Sequence, residues 1–361
     1  MNYYIQEVKF DPGEKFHKTA WGKAREDVDS ILASMSMTPI VIVNHEKERN
    51  KTSFLNKIKW HGIIKRNWDS ELSRLNTGDV LIIQFPILEH SLFLYRIIRK
   101  IRKRGVKIVL MVHDLETIRF SLLKSQSRIT NLRVNFEEAK ILREASKIIL
   151  HNSKMIRFVE RFGVPEEKTV DLEIFDYLYN GNIRSRNEDV QKDVVIAGNL
   201  SKEKAGYAYN LPEGITYHLY GIKYDGEEKS NVIYHGSFPP NELPGKIEGG
   251  FGLVWDGSSA QTCEGVYGEY MKINNPHKAS LYLAAGIPII IWKYAALAEF
   301  VQDNNVGICI NSLADIQDKL MNMTPDEYGN LLTNVRLVSE KIRSGIYTRK
   351  AITKAISSDE K

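Results

Sequence analysis

The chain has 361 residues, of which 43% are apolar and 26% charged; this composition excludes disordered and fibrous proteins and allows two domains with separate cores. A net charge of +5 is compatible with a phosphorylated ligand or an anionic membrane surface and requires neither. Two cysteines without CxxC spacing, Cys263 and Cys309, predict no disulfide framework and no zinc site, consistent with a reducing cytoplasm.

The first residues, Met1–Glu7, lack a basic region followed by an apolar core, so we expect no signal peptide. No window contains the ~20 uncharged apolar residues of a membrane span. Both observations favour a cytoplasmic location.

Short apolar strands alternate with helical patterns along the first half of the chain. The predicted strands are Tyr3–Val8, Ile40–Asn44, Val80–Phe85, Val106–Val112 and Lys147–His151. The predicted helices are Thr19–Met35, Ser53–Leu75, Ser91–Arg104 and Val134–Glu144. Such alternation predicts a parallel sheet with helices on both faces.

A second alternating series follows residues 176–192, which are rich in Asn, Gly and charge and are typical of a linker. Its predicted strands are Asp193–Ala197, Tyr217–Tyr220, Val232–His235, Gly250–Trp255, Ile287–Ile291 and Gly307–Ile310. The predicted fold class is α/β, with doubly wound domains over residues 1–175 and 193–340. The tail from Pro325 to Ser357 has a helical pattern, and we expect a C-terminal helix within residues 341–361.

The segment Gly249–Phe300 carries the most informative local pattern. Its first apolar strand stops at the carboxylate of Asp256, and a helix is predicted after Pro276 with Lys278 in its first turn. The unpaired N–H groups and partial positive charge of a helix N-terminus attract a pyrophosphate, and Lys278 adds a full charge. The pattern predicts phosphate, base and ribose contacts along one edge of a sheet.

Five motifs together resemble a bacterial group of GT-B glycosyltransferases. The motifs are Lys23–Val28, Val112–Arg119, Ala197–Lys202, Gly250–Trp255 and Leu283–Pro288. The group contains galactofuranosyltransferases of surface polysaccharide synthesis and glucosyltransferases that extend N-acetylglucosamine on serine-rich adhesins. The motifs occur in the expected order over nearly the whole chain, and the segment from His113 to Arg119 favours the galactofuranosyl branch.

The resemblance implies two Rossmann-like domains that face each other across a cleft, with the last helix crossing back to the N-terminal domain. It also implies a UDP-sugar donor, galactofuranose as the sugar, and a hydroxyl of a surface polysaccharide or lipid-linked glycan as acceptor. Three alternatives stay open. They are glucosyl transfer to an N-acetylglucosamine-modified adhesin, a UDP-sugar epimerase of the GT-B type, and a nucleotide-sugar-binding subunit without catalysis.

One position departs from the wider group of retaining GT-B enzymes. Those enzymes usually carry a ribose-binding glutamate shortly before the glycine of the last nucleotide-binding helix, where this chain has Leu281. Glu299, one strand later, is the candidate replacement. The departure favours an inverting reaction.

The catalytic candidates follow the fourth predicted strand. Ligands bind at the carboxyl ends of parallel strands, and an inverting transfer needs a general base near the acceptor hydroxyl. We rank Asp114 first, His113 second and Glu116 third. In the alternative interpretation, Asp114 caps the next helix and His113 is a packed strand end. Arg119 either pairs with Glu116 or meets a phosphate.

The nucleotide-sugar candidates follow strands of the second domain. Lys278 is expected to bind the diphosphate, and His277 either cooperates with it or caps the helix. Tyr220 either stacks on uracil or lies in the core. The whole set is Lys278, His277, Asn199, Ser201, Lys202, Lys204, Tyr220, Gly221 and Glu299.

Positive side chains and helix ends are expected to replace a metal, since no Asp-x-Asp pattern stands at a strand end. The resembling glucosyltransferases hold the nucleotide with a basic residue soon after the corresponding Gly-Asn. Here Lys202 and Lys204 are both candidates for that role. We therefore predict a metal-independent enzyme without a cofactor.

The remaining candidates concern the acceptor and other partners. In a GT-B enzyme the loop after the first strand faces the cleft, which makes Lys18 and Thr19 candidates, although Thr19 also suits a helix cap. Residues 91–104 combine an apolar and a basic face, as in a peripheral membrane helix or an ordinary sheet-covering helix. The basic cluster is local and has no recognition motif, so we expect no nucleic-acid partner. The oligomeric state stays open, a homo-oligomer included.

Overall fold

The computed structural model describes residues 1–9, 20–44, 54–88, 93–115, 137–186, 189–227 and 229–357. The chain divides into two compact units. The first unit comprises Met1–Lys15, Val28–Leu172 and Arg349–Lys361, and the second unit comprises Phe16–Asp27 and Glu173–Thr348. Each unit has its own parallel sheet.

The sheet of the first unit has six parallel strands among the described residues. They are β1 (Asn2–Lys9), β2 (Thr38–Asn44), β3 (Val80–Phe85), β4 (Lys107–Val112), β5 (Lys147–Leu150) and β6 (Thr169–Asp171). Their order is β2-β1-β3-β4-β5-β6. Every residue of β3 is buried, as expected for a strand covered on both faces. The five predicted strands are confirmed, whereas β6 shows no sequence pattern because Val170 is its one apolar residue.

The helices of the first half are described as follows. They are α1 (Ala20–Ser34), α2 (Phe54–Glu71), α3 (Leu94–Lys103), α4 (137–144) and α5 (Ser153–Val159). Short 3₁₀ helices follow α2 and α5, at Leu72–Arg74 and Glu160–Phe162, and a third lies at Glu166–Lys168. The side chain of Asn152 caps α5 by accepting the N–H groups of Lys154 and Met155.

Helix α3 contains the basic cluster. Its apolar residues are Leu94, Ile97, Ile98 and Ile101, which are all buried, and the helix packs against α2 and β4. On its charged face, Lys100 pairs with Asp69 and Arg102 with Glu144, each at 2.8 Å. The apolar face belongs to the core of the first unit, so a membrane would meet the charged face alone. Among the described residues, no helix combines the length and apolar character needed to cross a membrane.

The sheet of the second unit also has six parallel strands among the described residues. They are β7 (Val194–Asn199), β8 (Tyr217–Ile222), β9 (Val232–Tyr234), β10 (Phe251–Val254), β11 (Ile289–Trp292) and β12 (Gly307–Ile310). Their order is β12-β11-β10-β7-β8-β9. All six predicted strands of this half are confirmed, and two Rossmann-like units result.

The second half of the chain has eight described α-helices, and a short 3₁₀ helix at Gly206–Tyr209. The α-helices are α6 (Lys202–Ala205), α7 (Leu243–Lys246), α8 (Gly265–Tyr270), α9 (His277–Ala284), α10 (Ala298–Asp303), α11 (Asp315–Met321), α12 (Pro325–Ser344) and α13 (Ile346–Ser357). Thr324 and Glu327 form a capping box at the start of α12. Gly345 ends that helix with a left-handed φ of 79°. The helical tail from Pro325 to Ser357 is thus confirmed as two helices.

Strands β7 and β10 separate at the point where the strand order reverses. They pair in register over two residues only, Val194–Val195 with Phe251–Gly252. Further along β7, the N–H of Ala197 donates to the hydroxyl of Tyr282 in α9, at 2.7 Å. A Cβ added at Gly252 would lie 2.2 Å from the Tyr282 ring. In open parallel sheets, the crevice at such a reversal is the usual place for a ligand.

Candidate active site

Two glycines form the carboxyl ends of β7 and β8 in the second unit. Gly198 and Gly221 are register partners on these neighbouring strands. A Cβ added at Gly221 would lie 1.8 Å from the carbonyl oxygen of Gly198, so a side chain cannot be accommodated there. Gly198 itself faces open space and has a φ of 130°. Gly198 therefore leaves bare backbone at this edge of the sheet, which a ligand can approach closely. The backbone of Gly221 is engaged, because its N–H donates to the carbonyl oxygen of Gly236 and its carbonyl oxygen accepts the Tyr234 hydroxyl.

Lys278 reaches the same edge from the first turn of α9. Its Nζ donates to Oδ1 of Asp256 at 2.7 Å and to the carbonyl oxygen of Trp255 at 2.8 Å. The side chains of Lys278 and Asp256 are only 13% and 10% exposed. Pro276 occupies the N-cap position of α9, as the sequence predicts. A cation is therefore held in a fixed position directly after β10, on the edge where phosphate contacts are predicted.

The loop after β7 separates the two lysine candidates. Lys202 points to Asp225, at 3.3 Å, and its Nζ lies 5.1 Å from the centre of the Tyr209 ring. Lys204 lies beside the turn that follows β10, because its carbonyl oxygen accepts the N–H of Gly257 at 2.8 Å. The structure therefore brings Lys204, and not Lys202, next to the segment that holds Lys278.

Asn199 and Ser201 shape the start of the same loop. The Asn199 side chain accepts the N–H of Ser201 at 3.1 Å, which turns the chain just after β7. Ser201 precedes α6 without making a side-chain cap. Both side chains are half-buried at the carboxyl end of the sheet. Glu299 is exposed in the first turn of α10, after β11, which ends at the same edge.

His277 and Tyr220 are engaged inside the second unit. The His277 ring stacks on Tyr177 at 5.1 Å, and its Nε2 lies 3.3 Å from the carbonyl oxygen of Asp176. Burial lowers the pKa of His277 to about 4, so the ring is neutral at pH 7 and adds no charge to a phosphate site. Tyr220 is 1% exposed and stacks on His235 with ring centres 4.4 Å apart. The structure thus favours the core interpretation of Tyr220, since no ring face is open to uracil.

In the first unit, His113 and Asp114 follow β4 as the sequence predicts. His113 is buried, and its Nε2 lies 2.6 Å from Oε1 of Gln84. The amide nitrogen of Gln84 donates to Oδ1 of Asp29 at 2.7 Å. Because a carboxylate only accepts, this bond turns the amide oxygen of Gln84 towards His113. His113 then carries its proton on Nε2 and is held as a strand end, in agreement with the alternative interpretation of that residue.

Asp114 is half-buried and lies near a buried imidazole. Burial lowers the pKa of His151 to about 4, against the opposing effect of the negative Asp114. His151 is therefore neutral at pH 7, and its Nε2 lies 3.2 Å from the carbonyl oxygen of Val112. Of the two catalytic candidates in the described region, Asp114 is the more accessible. The acceptor candidates Lys18, Thr19, Glu116 and Arg119 lie outside the described residues.

Three residues of these sites are absent from the predicted set. Asp256 is recognisable only as the carboxylate that ends an apolar strand, and Gln84 as a polar residue inside the apolar strand β3. Tyr282 gives no signal, because a tyrosine in an apolar helix is usually a core residue.

Family models match nearly the whole chain. The model described as glucosyltransferase 3-like, N-terminal domain, matches residues 2–174. The model described as glucosyltransferase 3-like, C-terminal domain, matches residues 194–355. The two matches fall on the two halves that carry the two sheets.

Two curated relatives align over almost their full lengths. The β-1,6-galactofuranosyltransferase WbbI of Escherichia coli K12 is 34% identical, with 98% of each chain covered. Glucosyltransferase 3 of Streptococcus parasanguinis is 25% identical, with 99% of this chain and 98% of the relative covered. Both relatives are glycosyltransferases by name.

Solved structures show the same fold at low sequence identity. HepE of Anabaena, in complex with UDP, superposes with a TM-score of 0.56 at 14% identity, over 99% of this chain and 100% of HepE. WaaG, a glycosyltransferase involved in lipopolysaccharide biosynthesis, superposes with a TM-score of 0.55 at 12% identity, over 99% of this chain and 100% of WaaG. The fold is thus that of the GT-B glycosyltransferases, and the chain belongs to the glucosyltransferase 3-like family of these enzymes.

Proposed function

We propose that this protein is a galactofuranosyltransferase that moves galactofuranose from UDP to a hydroxyl of a surface polysaccharide or lipid-linked glycan. The observation that carries the proposal is the placement of Lys278 at the same edge of the second sheet as the open backbone of Gly198. This arrangement offers a cation and open backbone at a topological switch point, as a nucleoside diphosphate requires.

The choice of sugar rests on sequence similarity. The relative named as a galactofuranosyltransferase is 34% identical, against 25% for the relative named glucosyltransferase 3. Both relatives cover almost the whole chain. Glucosyl transfer to N-acetylglucosamine is the alternative that the second relative supports.

In the proposed reaction, Asp114 accepts the proton of the acceptor hydroxyl. The acceptor oxygen then forms a bond to the anomeric carbon, and the bond from that carbon to the β-phosphate oxygen breaks. UDP leaves with the electron pair, and the anomeric configuration inverts. Lys278 and Lys204 supply positive charge to the departing diphosphate, as a metal does in other transferases.

The donor half of this proposal predicts no requirement for a divalent metal in turnover. Metal-stripped enzyme should transfer sugar at the same rate with and without added Mg²⁺ or Mn²⁺. A rate that depends on either ion would show that the lysines do not suffice. The helix end of α9 adds a further partial positive charge near Lys278.

The experiment that tests the proposal measures donor and acceptor dependence separately. Purified protein is incubated with UDP-galactofuranose, UDP-galactopyranose or UDP-glucose and a panel of glycans, and UDP release and product mass are recorded. We expect UDP release from UDP-galactofuranose only when a hydroxyl acceptor is present, with an inverted linkage by NMR. Transfer from UDP-glucose to N-acetylglucosamine would replace the proposal by its alternative. Acceptor-independent release of a free sugar would indicate an epimerase, and binding without turnover a silent subunit.

A further inference from the structure

A cluster of two histidines and one glutamate lies beside Tyr220 in the second unit. His218 is in β8, His235 directly follows β9, and Glu248 precedes β10. One ligand atom from each of these residues lies within 4.8 Å of the other two. Asp256, by contrast, follows β10, and the four residues of that strand span about 13 Å. Glu248 therefore lies at the opposite end of β10 from Asp256 and Lys278.

Sheet geometry brings the two imidazoles to the same face. β8 and β9 pair in parallel with His218 opposite Ile233, so Tyr220 and His235 come next along the same face. Nδ1 of His218 and Nε2 of His235 are 2.9 Å apart. Two nitrogens on a tetrahedral zinc ion, each at 2.0–2.1 Å, are about 3.3 Å apart. The rings need to separate by only a few tenths of an ångström to share such an ion.

Neighbouring groups hold each potential ligand. Nε2 of His218 lies 3.4 Å from Oδ2 of Asp193, a contact that leaves Nδ1 as the nitrogen with the lone pair. The ring of His235 is fixed by the stacked Tyr220. The N–H of Glu248 donates to the Tyr220 hydroxyl at 3.0 Å, and Arg184 pairs with the Glu248 carboxylate at 2.7 Å.

The two imidazole nitrogens that face each other suit a cation. His218 is only 6% exposed, and its Nδ1 faces another nitrogen instead of an oxygen acceptor. In the metal-free state one imidazole must donate to the other, and an ion would instead receive a lone pair from each.

We propose that His218, His235 and Glu248 bind one divalent transition-metal ion of the zinc class, with a water molecule as the fourth ligand. Two imidazoles and one carboxylate are a ligand set that zinc accepts, and softer or harder cations fit it less well. The ion would tie β8, the three-residue edge strand β9 and the segment before β10 together. The spacing of the two cysteines gives no information about this site, because its ligands are histidine and glutamate.

The test uses untagged full-length protein that has been freed of metal by chelation. Zn²⁺ is added during calorimetric titration, and Co²⁺ is added while the visible spectrum is recorded. We expect one equivalent of Zn²⁺ per chain, an intense Co²⁺ band typical of four-coordination, and a Tm that rises with Zn²⁺ concentration. His235→Gln should lower Zn²⁺ affinity at least ~100-fold, and Glu248→Gln at least ~10-fold.

His61→Gln in the first unit is the matched control and should keep both stoichiometry and affinity. Should His235→Gln fail to fold, the half-exposed Glu248→Gln still tests the site. The proposal is overturned when Zn²⁺ binds no tighter than about 100 µM, or when His235→Gln and Glu248→Gln bind it like the unmodified chain. UDP binding is measured on the same samples, so failure of the metal site and failure of the proposed function can be told apart.

Discussion

Nζ of Lys278 lies 2.7 Å from Oδ1 of Asp256, and the two side chains are nearly buried at the end of β10. The pair joins the first turn of α9 to the strand before it. A desolvated lysine without a partner would be costly, so the carboxylate stabilises the cation while the site is empty. A diphosphate that enters the crevice can then share a lysine that already has its position.

The first prediction concerns this lysine. Lys278→Met should weaken UDP binding at least ~30-fold, because the variant removes the cation and leaves Asp256 to repel the phosphates. Isothermal titration with UDP measures the change. Unchanged affinity would place the diphosphate elsewhere.

The two lysines after β7 form a matched pair. Lys204→Met should weaken UDP binding about 10-fold, because Lys204 adjoins the turn after β10, whereas Lys202→Met should change it less than about 3-fold. The same titration compares the two variants. Equal losses for both would contradict the assignment made from the Gly257–Lys204 hydrogen bond.

A third prediction separates chemistry from donor binding. Asp114→Asn should lower kcat by about 10³-fold, since the amide cannot take the acceptor proton, while the Kd for UDP stays within about 2-fold. Glu167→Gln, at an exposed carboxylate of the first unit, is the control and should leave kcat unchanged. Retained turnover in Asp114→Asn would remove this residue as the base.

The buried His151 gives a prediction about pH. Its folded pKa of about 4 lies below the ordinary value of 6.5, so its contribution to stability is complete above pH 6.5 and is lost as pH falls towards 4. The shift corresponds to about 3 kcal/mol over that range. Proton NMR should show the His151 ring titrating near pH 4, and the stability advantage over His151→Gln should shrink on acidification. Titration of His151 near pH 6.5 would refute the assignment.

Substitution by alanine should lower the free energy of unfolding by different amounts at Gly221 and at Gly198. Gly221→Ala should destabilise the second unit by about 3 kcal/mol or more, because its Cβ meets the Gly198 carbonyl oxygen and the backbone must move. Gly198→Ala meets open space and should cost only about 1–2 kcal/mol for its positive φ. Urea unfolding of the two variants checks the order. Similar losses would mean that the edge of the sheet is more pliable than its geometry indicates.

Much of the fold follows from the sequence because buried parallel strands are continuous apolar runs. Eleven of the twelve described strands are predicted in this way, and β6 is missed because Val170 is its one apolar residue. The position of Lys278 in the first turn of α9 is also predictable, because Pro276 is a local signal for the start of a helix. UDP binding by these residues stays a prediction.

Contacts between residues that are far apart in the sequence cannot be predicted from such local patterns. Tyr177 and Asp176 contact His277 although they lie about 100 positions earlier in the chain. The residues next to His277 in the sequence do not predict these contacts. Tyr220 similarly becomes a core residue through its contact with His235. Tertiary packing therefore decides which polar residues remain available to a ligand.

The packing of the Tyr282 ring against Gly252 has an evolutionary consequence. The ring occupies the space where a side chain at position 252 would lie, so the two positions share one volume. Any homologue with a larger residue at the position of Gly252 should carry a smaller one at the position of Tyr282. It would then also lack the hydroxyl that receives the Ala197 N–H. The two positions should covary across the family as a single steric unit.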